Sequence, residues 1–247
     1  MSVTLHGGVT AVSGGPSTNT LTLSAPSGLA EGDLDVLVVC IEDSASSSDF
    51  NTLSGWTQLY NLRTSTGTPH RQAAWWRNAP ASPGSVEVTW TETARRWLAG
   101  RWRLSGHDAS DPIPTLGTAL NTSRATDTAP SWDVPGLTTP RDGCVLFLAT
   151  FISFAQFTGS PRFPAPSSWS LTDLNGNSNF NTEQPAGAVF TRAVASAGAV
   201  SDATVTPGSL SGGSSTQRGV TGRMFAVQPE EAAPPAAIRR STGLVFW

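Results

Sequence analysis

Three histidines, two cysteines and eighteen carboxylates are the groups from which this sequence could build a reactive site. His6, His70 and His107 lie far apart along the chain, which leaves a Ser-His-Asp arrangement few candidates. No G-x-S-x-G elbow accompanies them: "GSLSG" at 208–212 carries Leu210 where the nucleophilic serine would stand. Phosphate-cradling glycine loops and the H-E-x-x-H zinc pattern are missing as well. Glycoside hydrolysis needs two carboxylates facing one cleft. Asp33 and Asp35 instead flank the start of an apolar run, a place where turn residues are common. Asp108 and Asp111, in "HDASDP", have the spacing of an Asx-turn closed by Pro112. They are also the only carboxylates that suggest a Ca²⁺ site, and they lack the ligand density of an EF-type loop. The expectation is a non-enzymatic protein without a cofactor.

Nine tryptophans are the second chemical resource. Trp75 and Trp76 are adjacent, so on a strand they point to opposite faces. If one is exposed, it offers an aromatic platform for a sugar; the alternative is core or subunit packing. Trp56, Trp90, Trp102 and Trp169 sit in recurring strand positions and read as core, while Trp97 and Trp132 are left open. Cys40 and Cys144 each lie inside an apolar run, which points to two separately buried thiols rather than a disulfide.

The elements that must position these residues are strands. Gly 24 and Pro 18 are spread along the 247 residues, and charged residues make up only 13%, too few for helical surfaces. "SVEVTW" at 85–90 alternates, with Val86, Val88 and Trp90 on one face. "LAGRWRL" at 98–104 alternates too, placing Leu98, Trp102 and Leu104 inward and Arg101 and Arg103 outward. "DLDVLVVCI" at 33–41 and "CVLFLATFI" at 144–152 are nearly continuous apolar runs, as expected of central strands covered on both faces. A net charge of −3, with every basic residue an arginine, argues against a partner made of nucleic acid or anionic membrane. No stretch has the length of a transmembrane span and "MSVTLHGGVT" does not read as a signal peptide, so the expected setting is assembly in a cytoplasm and release by lysis.

A pattern then occurs twice. "SGLAEGDLDVLVV" matches "PGLTTPRDGCVLFL", "SGWTQL" matches "SSWSLT", and "AGRWRL" matches "TGRMFA". The anchors Asp33, Trp56, Arg77 and Gly100 meet Asp142, Trp169, Arg192 and Gly222 in the same order. The expected architecture is an all-β, antiparallel, jelly-roll-like β-sandwich over residues 20–228, built from two pseudo-repeated halves at about 20–110 and 130–228. Residues 1–19 read as an N-terminal arm and 229–247 as an extended C-terminal tail.

The succession "GLAEGDLDVLVV", "GWTQLY", "AAWWRNA", "VEVTW", "RWRLSGHDASDPI", "GCVLFLAT", "SSWSLT" and "GRMFAVQP" resembles a β-sandwich family frequent in tailed-bacteriophage virion proteins. His107 stands where that family's pattern leads one to expect a small apolar residue. The resemblance implies a structural or adhesive part of a virion: a minor tail protein, a baseplate component or a capsid decoration. Its partners would be neighbouring virion proteins and copies of itself; the alternative is a module that binds a host surface glycan through Trp75 or Trp76.

The tail fits the first reading. "PEEAAPPAA" at 229–237 is an extended, semi-rigid linker. Beyond it Arg239 and Arg240 precede Leu244, Val245, Phe246 and Trp247, an apolar end suited to docking on a partner. Burial of four side chains does not by itself offset the entropy of ordering the tail. Strand addition to a neighbour's sheet edge, repeated over several copies, would supply the difference.

Overall fold

The two apolar runs become the central strands of two antiparallel sheets, and every neighbouring element is placed by what it covers. The computed structural model describes residues 1–13, 19–42, 49–64, 69–91, 96–124, 131–152, 163–174, 186–208 and 218–232. In the first half these form β1 (Thr4–Ser13), β2 (Thr20–Leu23), β3 (Leu34–Glu42), β4 (Thr57–Arg63), β5 (His70–Asn78), β6 (Val86–Thr89) and β7 (Trp97–Ser105). After β8 (Thr115–Leu116) and β9 (Leu120–Arg124), the second half contains β10 (Trp132–Val134), β11 (Leu137–Thr139) and β12 (Cys144–Ile152). It continues with β13 (Ser170–Asp173), β14 (Ala186–Val194), β15 (Gly198–Val200), β16 (Ala203–Val205) and β17 (Arg218–Val227).

One main sheet has the order β1-β7-β3-β5-β4; the other runs β13-β14-β12-β17-β8, with β9 also paired to β17. Two-stranded covers, β2-β6 on the first and β10-β16 and β11-β15 on the second, complete the set. Three apolar clusters show four layers. Val36, Val38, Trp102 and Leu104 meet Phe147, Phe151, Val189 and Phe225 between the main sheets. Leu21, Leu23, Val86 and Val88 of one cover pack on Leu37, Val39 and Trp75. Trp132, Val134 and Val205 of the other pack on Leu146, Leu148 and Phe190. β3 and β12 are therefore buried on both faces, which is why their sequences do not alternate.

The halves repeat as topology. Each has a central strand, an outer hairpin, a cover strand before and after them, and a closing strand on the far side of the centre. A jelly roll passes its chain between both sheets; here each half keeps its strands in one sheet and its own cover, and the halves share a core face to face. Trp56 and Arg77 superpose in role on Trp169 and Arg192, each arginine lying over its indole at 4.4 and 5.2 Å. Gly100 and Gly222 do not correspond. Arg77 pairs with Asp35 and Arg192 with Leu146, so by register Gly100, opposite Val38, is matched by Arg223, opposite Ala149. A slip of one residue turns a side chain to the other face.

Two further expectations change. Residues 4–13 are a sheet edge rather than an arm, pairing along β7 from Ser105 to Trp97. Their alternation is concealed by a bulge between Leu5 and Gly7, which sends Leu5 into the inter-sheet core and Val9 to the outer one. Gly7, at φ 114°, supplies the conformation the bulge needs. Arg101 points to the face expected but is completely buried, because the β2-β6 cover lies over it. Cys40 and Cys144 are both free and buried, as their apolar surroundings in the sequence led one to expect.

The sandwich has two unlike ends. At one, Glu42 pairs with His70, Arg63 with Arg71, Ser13 with Trp97, Ile152 with Ala186, and Arg218 with Arg124. At the other, Val3 donates its backbone N–H to Gly143, and the chain leaves β17 towards its C-terminus.

Candidate functional site

Asp33, Asp35 and Asp108 prove to be architectural. Asp35, fully buried, accepts Arg101 Nε at 2.8 Å and Nη2 at 2.7 Å, a two-pronged pairing, and Arg77 Nε at 3.0 Å. Arg101 Nη1 donates to the carbonyls of Gly84 at 2.9 Å and Leu23 at 3.3 Å, pinning the cover onto the main sheet. Asp33 accepts the Ala30 N–H of its own turn and Arg103 Nε at 2.7 Å. Asp108 closes the expected Asx-turn, its Oδ1 accepting Ser110 Oγ at 2.6 Å and the backbone N–H groups of Ser110 and Asp111. Its Oδ2 accepts Arg141 Nη1 at 2.8 Å, so an arginine stands where a cation would be held. The Ser110 hydroxyl and then Arg141 hold the Asp108 carboxyl well below the usual range. Asp111 contributes its carbonyl to Gln228, not its carboxylate to a site. Among the described residues no three His, Cys, Asp or Glu side chains gather as metal ligands.

His107 belongs to the same strap. Its Nε2 lies 2.9 Å from Asn78 Oδ1, and its backbone bridges Pro229. Glu230 donates its N–H to the Gly106 carbonyl, and Arg141 reaches the Pro229 carbonyl at 2.9 Å. The start of the tail is thus tied to the "SGHDASDPI" loop. Arg239, Arg240, Leu244, Val245, Phe246 and Trp247 lie outside the described residues.

At the opposite end His70 is fully buried, with Nε2 2.7 Å from Thr221 Oγ1 across the two sheets. Burial lowers its pKa from 6.5 to about 3, so it is neutral in the folded protein. Between those values the unfolded chain binds the extra proton. The contribution is complete above pH 6.5 and is lost as pH falls towards 3, with a slope of about 1.4 kcal/mol per pH unit. Urea midpoints across this window should fall less steeply for His70→Gln than for the parent; equal slopes would refute the assignment.

The tryptophans expected in the core are there, with Trp90 and Trp102 fully buried, Trp169 at the boundary and Trp56 half-buried. Trp132 joins them, its Nε1 donating to Thr150 Oγ1 at 2.9 Å. Trp75 and Trp76 do point to opposite faces. Trp75 packs under the cover with Phe50 edge-on at 5.1 Å, and Trp76 is half-buried against the inter-sheet core. Neither is an open platform.

A different arrangement forms around Trp75. The stretch 49–53 is held to the cover: Phe50 bridges Trp90, Asn51 donates to the Thr89 carbonyl, and Thr91 donates to that of Asp49. A turn then closes from Trp56 N–H to the Leu53 carbonyl, with Gly55 at φ 76°. Between this stretch and β4 lies a cavity of about 200 Å³, with Phe50, Trp56 and Trp75 as aromatic walls. Asp49, Asn51, Gln58 and Asn61 supply its polar groups. Asp49 Oδ1 accepts Asn61 Nδ2 at 2.7 Å, Arg71 Nη1 at 3.0 Å and the Phe50 N–H at 2.8 Å; none of these reaches Oδ2. Only Trp75 was legible as a candidate here. The others meet because β4, β5 and the cover converge, and no spacing in the sequence signals it. In the second half Trp169, the counterpart of Trp56, borders a wider groove of about 390 Å³ with Arg192 and Asp202.

No family model, curated protein or solved structure matches the chain.

Proposed function

We propose that this protein is a non-enzymatic structural component of a tailed-phage virion, a minor tail, baseplate or capsid-decoration protein anchored by its C-terminal tail. The observation that carries the reading is the polarity of the sandwich. Residues 228–230 are bound to the 106–112 loop, so the tail departs from one end. The opposite end is formed by the pairs Glu42 with His70 and Ile152 with Ala186. Such a molecule grips its particle with one end and presents the opposite one outward. The motifs that carry the resemblance agree with this, since Asp33, Asp35, Trp56 and Arg77 serve packing and ion pairing. Asp33, Asp35 and Asp108, three of the carboxylates that stood out in the sequence, are paired with arginine.

The expected partners are neighbouring virion proteins and other copies of the chain, and the setting is the assembled particle. Deleting residues 233–247 should leave the thermal midpoint unchanged while abolishing incorporation into particles, read by immunoblot of purified virions. Normal incorporation of the shortened protein would refute the docking role.

A further inference from the structure

We propose that the cavity beside Trp56 binds one pyranose ring of an uncharged glycan. The proposal does not rest on the virion reading; it stands on the walls of the cavity. The cavity, about 200 Å³ and partly open to solvent, has room for one sugar ring. A sugar presents adjacent hydroxyls that both donate and accept, together with an apolar C–H face. The cavity offers the complement of each. The Gln58 amide both donates and accepts, and Asn51 and Asn61 add the capacity left over from their bonds to Thr89 Oγ1, Asp49 and Arg71. Asp49, its side chain 53% exposed, has its three bonds on Oδ1, leaving Oδ2 outside that set to accept from neighbouring hydroxyls. Trp56 is held by Arg77, 4.4 Å from its ring, and supplies the apolar wall.

The same groups select against other ligands. An anion would meet the exposed Asp49 carboxylate. A cation would compete with Arg71, whose guanidinium already lies 3.0 Å from Asp49 and 3.2 Å from Asn61 Oδ1. A purely apolar ligand would cover the exposed Asp49 and Gln58 side chains without offering them a hydrogen bond in place of water. The cavity lies on the outer face of the first sheet.

The test titrates the full chain with the methyl glycosides of glucose, galactose, mannose and N-acetylglucosamine, followed by tryptophan fluorescence and saturation-transfer NMR. One of them should bind saturably with a Kd on the order of 1 mM, the range open to a ligand of this size. Asp49→Ala should weaken it by about tenfold or more. Gln58 is an exposed residue whose replacement should not disturb folding. Gln58→Ala therefore keeps the test valid if Asp49→Ala fails to fold, and should weaken binding by roughly threefold. Absence of saturation with all four glycosides, an unchanged Kd in the folded variants, or displacement by inorganic phosphate would each overturn the proposal.

Discussion

Replacing Asp35 with leucine should lower the unfolding free energy by about 3–5 kcal/mol, whereas Asp35→Leu together with Arg101→Met should return to within about 2 kcal/mol of the parent. The reasoning starts from burial. Both side chains of the pair are wholly inaccessible, so neither charge can be rescued by water once its partner is removed. Removing the carboxylate leaves the Arg101 guanidinium with the carbonyls of Leu23 and Gly84 and the Trp56 ring 5.7 Å away, none of which carries a compensating charge. Arg101→Met alone should cost less, because Arg77, 18% exposed, still neutralises Asp35. The molecule itself supplies the apolar alternative. Through the register set by Arg77 and Arg192, the positions of Asp35 and Arg101 correspond to Leu146 and Met224 of the second half, both fully buried. One half therefore fastens its cover with an ion pair, and the other packs the same site with hydrocarbon. Urea unfolding of the parent, both single variants and the double variant gives the coupling directly. If the double variant loses as much as the sum of the singles, the correspondence between the halves is wrong.

Trp102→Ala should cost about 3–5 kcal/mol and should do so in one cooperative transition. The indole is nearly inaccessible and meets Phe147 of the opposite sheet edge-on, with ring centroids 5.7 Å apart. Phe147 in turn stacks on Phe225 at 5.0 Å. The backbone makes room for it: a Cβ at Gly8 would lie 2.6 Å from the indole and one at Gly100 only 2.3 Å. Gly8 of the neighbouring strand β1 and Gly100, two residues before Trp102 on β7 itself, thus form a bed for one side chain, and no smaller residue can fill the space left behind. Because the contact joins the two halves, the loss should lower a single unfolding midpoint seen alike by tryptophan fluorescence and far-UV circular dichroism. Two separated transitions would mean that the halves fold as independent sandwiches, contrary to the shared core.

How far the sequence could be read depended on whether a residue's role was set by its near neighbours. The strands β3 and β12 were legible from composition, since a run with no polar face must be covered twice. Trp56 with Arg77 and Trp169 with Arg192 were legible as a repeat because a turn and a hairpin fix each pair. Asp108 was legible as a turn, because an Asx-turn is closed within three residues. Arg101 was not. Alternation assigns a face, and whether that face is wet depends on β2 and β6, which come from either side of the outer hairpin. β1 was hidden for a related reason, as its bulge breaks the period that marks a strand.

The amino-acid order by itself determined an all-β chain of two echoing halves, because hydrophobic period and turn chemistry act over a few residues and survive without a partner strand. Tertiary structure alone decided that the echo becomes two facing sheets with separate covers, that Asp35 meets Arg101, and that Asp49, Asn61, Gln58 and Trp56 surround one cavity. Those outcomes depend on strands far apart in the chain meeting in a particular register, and a shift of one residue would send each of these side chains to the opposite face.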